Sequence, residues 1–369
     1  MIPFSDPSAS YKSHKDEIDQ AIKRVLDSGW YVLGQEVENF EKEFATFHGP
    51  EFSSVGVANG TDAVALALNC LGLGDGEEVI TPSHTAVATV AGIEQAGCKP
   101  VFADIDRASR CICPEAIRSI ISNRTRAIIP VHIFGQPCDM ISIMNLAKDN
   151  DLLVIEDCSQ AHAAELEGKK VGTFGNLATY SCYPTKNLGG VGDGGIILCP
   201  DADNAGKLIK LRQYGWDDSR KSLIQGVNSR LDELQAAVLR VKLKHLRDDT
   251  EKRRAIAGMY DRALSNLALT LPHRDQKSTH SMHLYVIECE NRNELMQHLR
   301  ERGIGAGLHY PFPVHEHPAY AGRIRGENEL TNTKNFYQQH LTIPLFPELR
   351  EESVLLIIES IQEWFCQRS

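Results

Sequence analysis

The apolar runs along the chain predict an α/β protein, with a large, mostly parallel sheet covered by helices and a smaller α/β unit after it. Three observations carry that prediction. Through the first two thirds of the 369 residues, short β-rich runs alternate with helix-length segments. The runs are continuously apolar rather than alternating, as strands buried on both faces are. The chain is also longer than one small core usually holds.

Ser54-Val55-Gly56-Val57-Ala58 reads as the first strand, and helical periodicity follows from Thr61 to Leu71, ending at Gly72. Glu78-Val79-Ile80-Thr81 is the next strand, then a helix from His84 to Gln95 stopped by Gly97. Val101-Phe102-Ala103, Ala127 to Val131 and Leu152 to Ile155 are further strands, with helices from Pro114 and from Met140 between them. Ala178 to Tyr183 and Gly195 to Cys199 are two strands flanking a Gly-rich loop. A long charged helical stretch runs from Arg230 to about Leu267. Beyond it come a strand from Met282 to Cys289, a helix from Asn293 to Arg302, and a last helix from about Glu352 to Phe365. The expected division is 1–245 for the large unit and 246–369 for the small one. No repeat or low-complexity linker separates them, so the two are expected to pack together.

Composition narrows the function. Apolar residues make up 42% and charged residues 24%, an ordinary globular balance. With 39 basic against 49 acidic residues the net charge is −10, which disfavours nucleic acid or an anionic membrane surface as partner. The first residues, Met1-Ile2-Pro3-Phe4-Ser5-Asp6, lack a charged and apolar leader pattern, and no run of about 18 apolar residues occurs. A cytoplasmic protein is expected. The ten cysteines contain no CxxC, and Cys98, Cys158, Cys182 and Cys199 lie in apolar runs, as reduced core thiols do. His309, His315 and His317 match no standard metal-ligand spacing, so no metal is expected.

Three places carry chemistry. In Tyr183-Pro184-Thr185-Lys186-Asn187-Leu188-Gly189 a lysine follows a strand among Pro and Gly, held near the sheet edge rather than on a solvated helix. In Val154-Ile155-Glu156-Asp157 an apolar strand ends in an acid, at the edge where open α/β sheets bind ligands. A buried carboxylate there needs a positive partner, and a pyridinium nitrogen is one. Pyridoxal phosphate needs one lysine for its Schiff base and one acid for its ring nitrogen. In Asn59-Gly60-Thr61-Asp62 a strand passes into a helix whose free N–H groups suit a phosphate, although a plain N-cap has the same look.

Together with Gln160-Ala161-His162, Gly192-Asp193-Gly194-Gly195, Asn228 to Ala236, the opening Gly29 to Gly34 and the late Leu308-His309-Tyr310-Pro311, these blocks resemble the DegT-type (DegT/DnrJ/StrS) nucleotide-sugar aminotransferases, pyridoxal-phosphate enzymes of fold type I. The resemblance spans about Ser28 to Tyr320, with the blocks in the family's order. It implies a seven-stranded sheet in the large unit.

By that resemblance Lys186 is the Schiff-base lysine and proton shuttle, a role that needs an amine well below the usual lysine range. Asp157 meets the ring nitrogen and Gln160 the phenolic oxygen. Gly60, Thr61 and Ser181 hold the phosphate. His84 takes the ring-stacking place where the family has an aromatic residue. Asn228 reaches the phosphate of a neighbouring subunit, which implies a homodimer with shared active sites. Tyr183, His309 and Tyr310 face the sugar nucleotide. Relatives with histidine at the lysine position dehydrate instead, so Lys186 implies transamination. The expected reaction passes an amino group from an amino acid, glutamate in the family, to a 3-keto or 4-keto deoxyhexose on a nucleotide. The amino sugar then feeds polysaccharide or glycoconjugate synthesis. Another fold-type-I activity, an amino-acid aminotransferase or desulfurase, would need an arginine fork such as Arg212 or Arg230 could supply. A non-enzymatic regulatory protein would need a DNA-binding module, and the sequence shows no basic face for one.

Overall fold

Continuous apolar runs become strands where both faces are covered, and this one rule builds the centre of the molecule. The structure, a computed structural model, describes residues 1–368; Ser369, at the end of the expected second unit, lies outside the described residues. In chain order the strands are β1 (Ser53–Val57), β2 (Glu78–Pro82), β3 (Lys99–Ala103), β4 (Thr125–Ile128), β5 (Leu153–Asp157), β6 (Glu165–Leu166), β7 (Lys169–Lys170), β8 (Leu177–Ser181), β9 (Gly195–Cys199), β10 (Ser278–Thr279), β11 (Tyr285–Glu288) and β12 (His340–Ile343). Seven of them form one sheet in the order β1-β9-β8-β5-β4-β2-β3, the mostly parallel sheet the sequence predicts. Five run parallel as neighbours, and β9 lies antiparallel between β8 and β1.

Register then decides what meets at the sheet edge. Val57 pairs with Gly195, Gly195 with Ser181, and Asp157 with Thr179. The carboxyl ends of β1, β5 and β8 therefore share one edge, where parallel sheets leave room for a ligand. The helix Gly60–Cys70 leaves β1 there, and the segment joining β8 to β9 crosses it. Helix residues Ala63, Leu66, Ala67 and Leu68 pack on one sheet face with Val55, Ile155 and Ile197. The opposite side is filled by two clusters, one around Ile80, Ile128, Ile143 and Val154 and one around Phe40, Phe44, Tyr180 and Ile196.

The 32-residue helix Glu233–Leu264, roughly 48 Å long at 1.5 Å per residue, joins two cores. Its Ala236 and Leu239 pack with β8 and β9 residues, while Ile256, Tyr260 and Leu264 pack with Tyr285, Leu341 and Trp364. The latter core is built on the two-stranded pair of β11 and β12 and the helices Arg292–Glu301 and Glu351–Cys366.

Several boundaries differ from the sequence reading, each for a local reason. β4 ends at Ile128 rather than Val131, because Pro130 has no N–H for the ladder. The helix expected from His84 begins at Val87, since Ala86 stands in extended conformation at its N-cap. Three N-terminal helices escaped the reading: Pro7–Ser13 is short and has no buried residue, and charge dominates the surface of Lys15–Ser28 and Gln35–His48. Their narrow apolar faces are real: Ile18, Ala21 and Val25 pack on Ala237, Val238 and Val241 of the long helix. Ahead of them Ile2 bonds across Gly303 and Gly305, which lays Phe4 and Ser5 against the site described next.

Candidate active site

A cavity of about 460 Å³ opens at the shared carboxyl edge, within the ~300–1,000 Å³ of small-molecule sites. Gly60, Thr61, Asp157, Gln160, Ser181, Tyr183, Lys186, His309 and Tyr310 all line it. These residues come from segments up to 250 positions apart, brought together by the strand register.

β5 ends in two acids that the strand's twofold alternation sends to opposite sides. Glu156 turns into the protein, where its carboxylate accepts N–H bonds from Gly172, Phe174 and Gly175 at 2.7–2.8 Å and from His132 Nε2 at 3.1 Å. His132 Nδ1 accepts from the Cys138 N–H at 3.0 Å, so the imidazole proton sits on Nε2, towards Glu156. Burial pushes the Glu156 carboxyl up, but these donors outweigh it and hold the group below the usual carboxylate range. Asp157 turns towards the cavity. Its Oδ2 accepts from Thr89 Oγ1 at 2.8 Å and its Oδ1 from the Ser159 N–H at 3.1 Å.

Lys186 follows β8 in a turn closed by its own N–H to the Tyr183 carbonyl at 2.8 Å. The loop folds so tightly that a Cβ on Gly189 would lie 2.5 Å from the Pro184 oxygen, which only glycine avoids. Among the described residues no hydrogen bond or ion pair holds the Lys186 amine. Desolvation lowers it to about 8, the Asp157 charge pulling the other way. An amine so placed is free to condense with an aldehyde near neutral pH.

The helix Gly60–Cys70 starts on the cavity wall. Asn59 Oδ1 caps the Asp62 N–H at 2.8 Å, which leaves the Gly60 and Thr61 N–H groups without an intrahelical partner. A Cβ on Gly60 would come 2.8 Å from Ser181 Cβ, so the bare backbone closes against Ser181. Two hydroxyls and a helix N-terminus thus meet in one place, as a phosphate requires. Gln160 accepts the Phe134 N–H at 2.8 Å and donates to Tyr310 Oη at 3.0 Å, so both its ends are fixed. His309 Nδ1 lies 2.9 Å from Thr342 Oγ1, and burial lowers this imidazole to about 4, which keeps it neutral.

Two expected residues stand elsewhere. His84 is a correction: it is fully buried outside the cavity, 3.1 Å from Tyr337 Oη and packed on Phe134 and Phe336. The helix starts three residues later than expected, so the bend at Ser83–Thr85 turns His84 into the core and leaves Thr85 and Ala86 on the cavity. Asn228 is exposed, bridged to Gln213, and does not line the cavity of its own chain. The reading missed Thr85, Thr89, His283 and the N-terminal Phe4 and Ser5, all on the wall. No sequence signal marks a hydroxyl in a helical run or a residue brought in from the chain start. His315, from the histidine-rich stretch, bonds Ser83 at 2.8 Å and so diverges from His309.

A desolvated lysine, a strand-end carboxylate and a phosphate-sized helix N-terminus around one cavity define a pyridoxal-phosphate enzyme. The chain belongs to the DegT/DnrJ/EryC1/StrS aminotransferase family, whose pattern matches residues 12–362. That family is pyridoxal-phosphate dependent. The chain is 41% identical to the dTDP-3-amino-3,4,6-trideoxy-alpha-D-glucose transaminase of Streptomyces venezuelae, over 98% of this chain and 96% of that one. It is also 41% identical to the dTDP-3-amino-3,6-dideoxy-alpha-D-galactopyranose transaminase of Aneurinibacillus thermoaerophilus, over 99% of both. The crystal structure of S. venezuelae DesV with a ketimine intermediate superposes with a TM-score of 0.95, at 41% identity and 98% coverage of both chains. No helix among the described residues is long and apolar enough to cross a membrane.

Proposed function

We propose that this protein transfers an amino group from L-glutamate to C3 of a keto-deoxyhexose carried on dTDP, at an active site completed by a second copy of the chain. The observation that carries the reading is the convergence of Lys186, Asp157 and the Gly60–Thr61–Ser181 cradle on one cavity. The choice of C3 and dTDP leans on the two relatives at 41% identity, both named for dTDP-linked 3-amino sugars. Transamination rather than dehydration follows from a lysine at position 186.

Bound pyridoxal phosphate supplies an aldehyde and a ring that draws electrons from the carbon bearing the amine. The chain does the rest. Lys186 would hold the cofactor through its amine, and the same amine would carry a proton to and from that carbon. Asp157 would face the ring nitrogen, and Gln160, fixed at both ends, would face the phenolic oxygen. Gly60, Thr61 and Ser181 hold the phosphate. Tyr183, His309 and Tyr310 form the wall against which the sugar rests. Arg212 is committed to Glu41 and the Gly56 carbonyl, so it offers no free fork for an α-carboxylate, which weighs against a dedicated amino-acid enzyme. Asn228 supports a homodimer, because it is exposed here while Trp30, Tyr31, Val191 and Val227 leave apolar surface for a partner to cover. Eight of the ten cysteines are buried free thiols, which suits the reducing cytoplasm.

The test offers the pyridoxamine-loaded protein a set of nucleotide-linked 3-keto and 4-keto sugars and follows the amino product. Amination at C3 of a dTDP sugar is expected. Turnover of 2-oxo acids alone, with no sugar accepted, would contradict the reading.

A further inference from the structure

The hydrogen bonds above Asp157 have a fixed direction. Asp157 accepts from Ser159 N–H on one oxygen and from the Thr89 hydroxyl on the other. The single Thr89 hydroxyl proton is therefore committed to Asp157. Thr85 Oγ1 lies 2.8 Å from Thr89 Oγ1, and the only proton left for that contact is its own. The chain runs from Thr85 to Thr89 to Asp157. The three residues are nearly buried on the cavity wall, with Thr85, Thr89 and Asp157 only 2%, 2% and 4% exposed.

Neither hydroxyl follows its local default. A threonine beside a helix start commonly caps it, yet the helix Val87–Gln95 has no side-chain cap and Thr85 turns to Thr89 instead. A threonine inside a helix usually bonds back to the carbonyl four residues earlier. Thr89 reaches instead across 68 positions to the end of β5. Thr89 on the helix thus spends its hydroxyl on the carboxylate, and Thr85, just ahead of the helix, spends its own on Thr89.

The geometry points to Thr89 as the positioning residue for Asp157, with Thr85 aligning Thr89 behind it. The pair fixes the carboxylate's rotation and so selects the oxygen lone pair that faces the cofactor's ring nitrogen. This rests on the reading of Asp157 given above. Thr89→Val keeps the side chain's shape and deletes the donor. In the half-reaction with L-glutamate, its maximal rate falls about tenfold, the scale of one hydrogen bond to a charged group. The glutamate concentration for half-maximal rate stays within about twofold, since substrate contacts are untouched. Pyridoxal phosphate dissociates about tenfold more readily, read from loss of the visible band on gel filtration. Thr89→Ser, which restores the donor on a smaller side chain, recovers rate and retention. Thr85→Val gives a smaller loss in the same direction.

A Thr89→Val protein equal to the parent in rate and cofactor retention overturns the positioning role. So does a loss that Thr89→Ser fails to recover while the melting temperature falls alike in both variants. A parent protein that takes up no pyridoxal phosphate removes the reading of Asp157, and the positioning role with it.

Discussion

A lysine is useful to an aldehyde only as the free amine, so the environment of Lys186 sets when the protein can load its cofactor. Burial lowers this amine to about 8. Below that pH the free fraction grows about tenfold per pH unit, and above it the fraction levels off. The initial rate of band formation, after adding pyridoxal phosphate to cofactor-stripped protein, is therefore expected to rise to about pH 8 and then flatten. A rate still climbing tenfold per unit through pH 9 and 10 would mean an ordinary exposed lysine. Lys186 and Asp157 were legible in the sequence because each sits at the carboxyl end of an apolar strand, where the chain has few other places to go. His84 was misread because the start of a helix is legible only to within a turn. In the bend before it, His84 faces the core while Thr85 and Ala86 face the cavity. Thr89 carried no mark at all: its role exists only through Asp157, 68 residues away.

At the scale of elements, the two acids ending β5 divide the labour of the strand. Asp157 serves the cavity while Glu156 pins the turn at Gly172–Gly175 by three N–H bonds. Glu156→Gln places an amide donor against N–H groups and removes the charge, so a loss of about 3 kcal/mol in stability is expected at pH 7. The sign with pH follows from the direction of its shift. A carboxyl held below its ordinary value stabilises the fold above the ordinary range, and that contribution fades as pH falls through the folded value. Urea midpoints of parent and variant should therefore differ at pH 7 and converge only as the pH falls below the ordinary carboxylate range. The elements themselves were readable in proportion to their apolar continuity. β2 and β9 are buried at every position and stood out, whereas the helix Lys15–Ser28 shows only three buried residues among its charges. β12 went unseen because four residues between a polar helix and a proline-flanked loop give too short a run to rank as a strand.

For the molecule as a whole, the proposed dimer has each cavity completed by the second chain. Lys186 lies inside it and Asn228 lies on the exterior. If Asn228 serves the partner's site, Lys186→Ala and Asn228→Ala chains mixed in equal amounts form hybrids with one doubly altered site and one intact site. Two inactive variants should then recover about 25% of parental activity on random reassociation, as two-fold symmetry requires. A mixture no more active than its parts would place Asn228 outside the shared site. The sequence blocks were sufficient for the family, since their order spans most of the chain, but the N-terminal strap that brings Phe4 and Ser5 to the wall became visible only in three dimensions.

The most direct test is the visible spectrum of the purified protein loaded with pyridoxal phosphate, before and after excess L-glutamate, with Lys186→Ala alongside. A yellow parent whose band gives way to the pyridoxamine form, beside a variant that shows neither, is the expected result. A parent that stays colourless with the cofactor, or a Lys186→Ala protein that behaves like it, would contradict the assignment of this site.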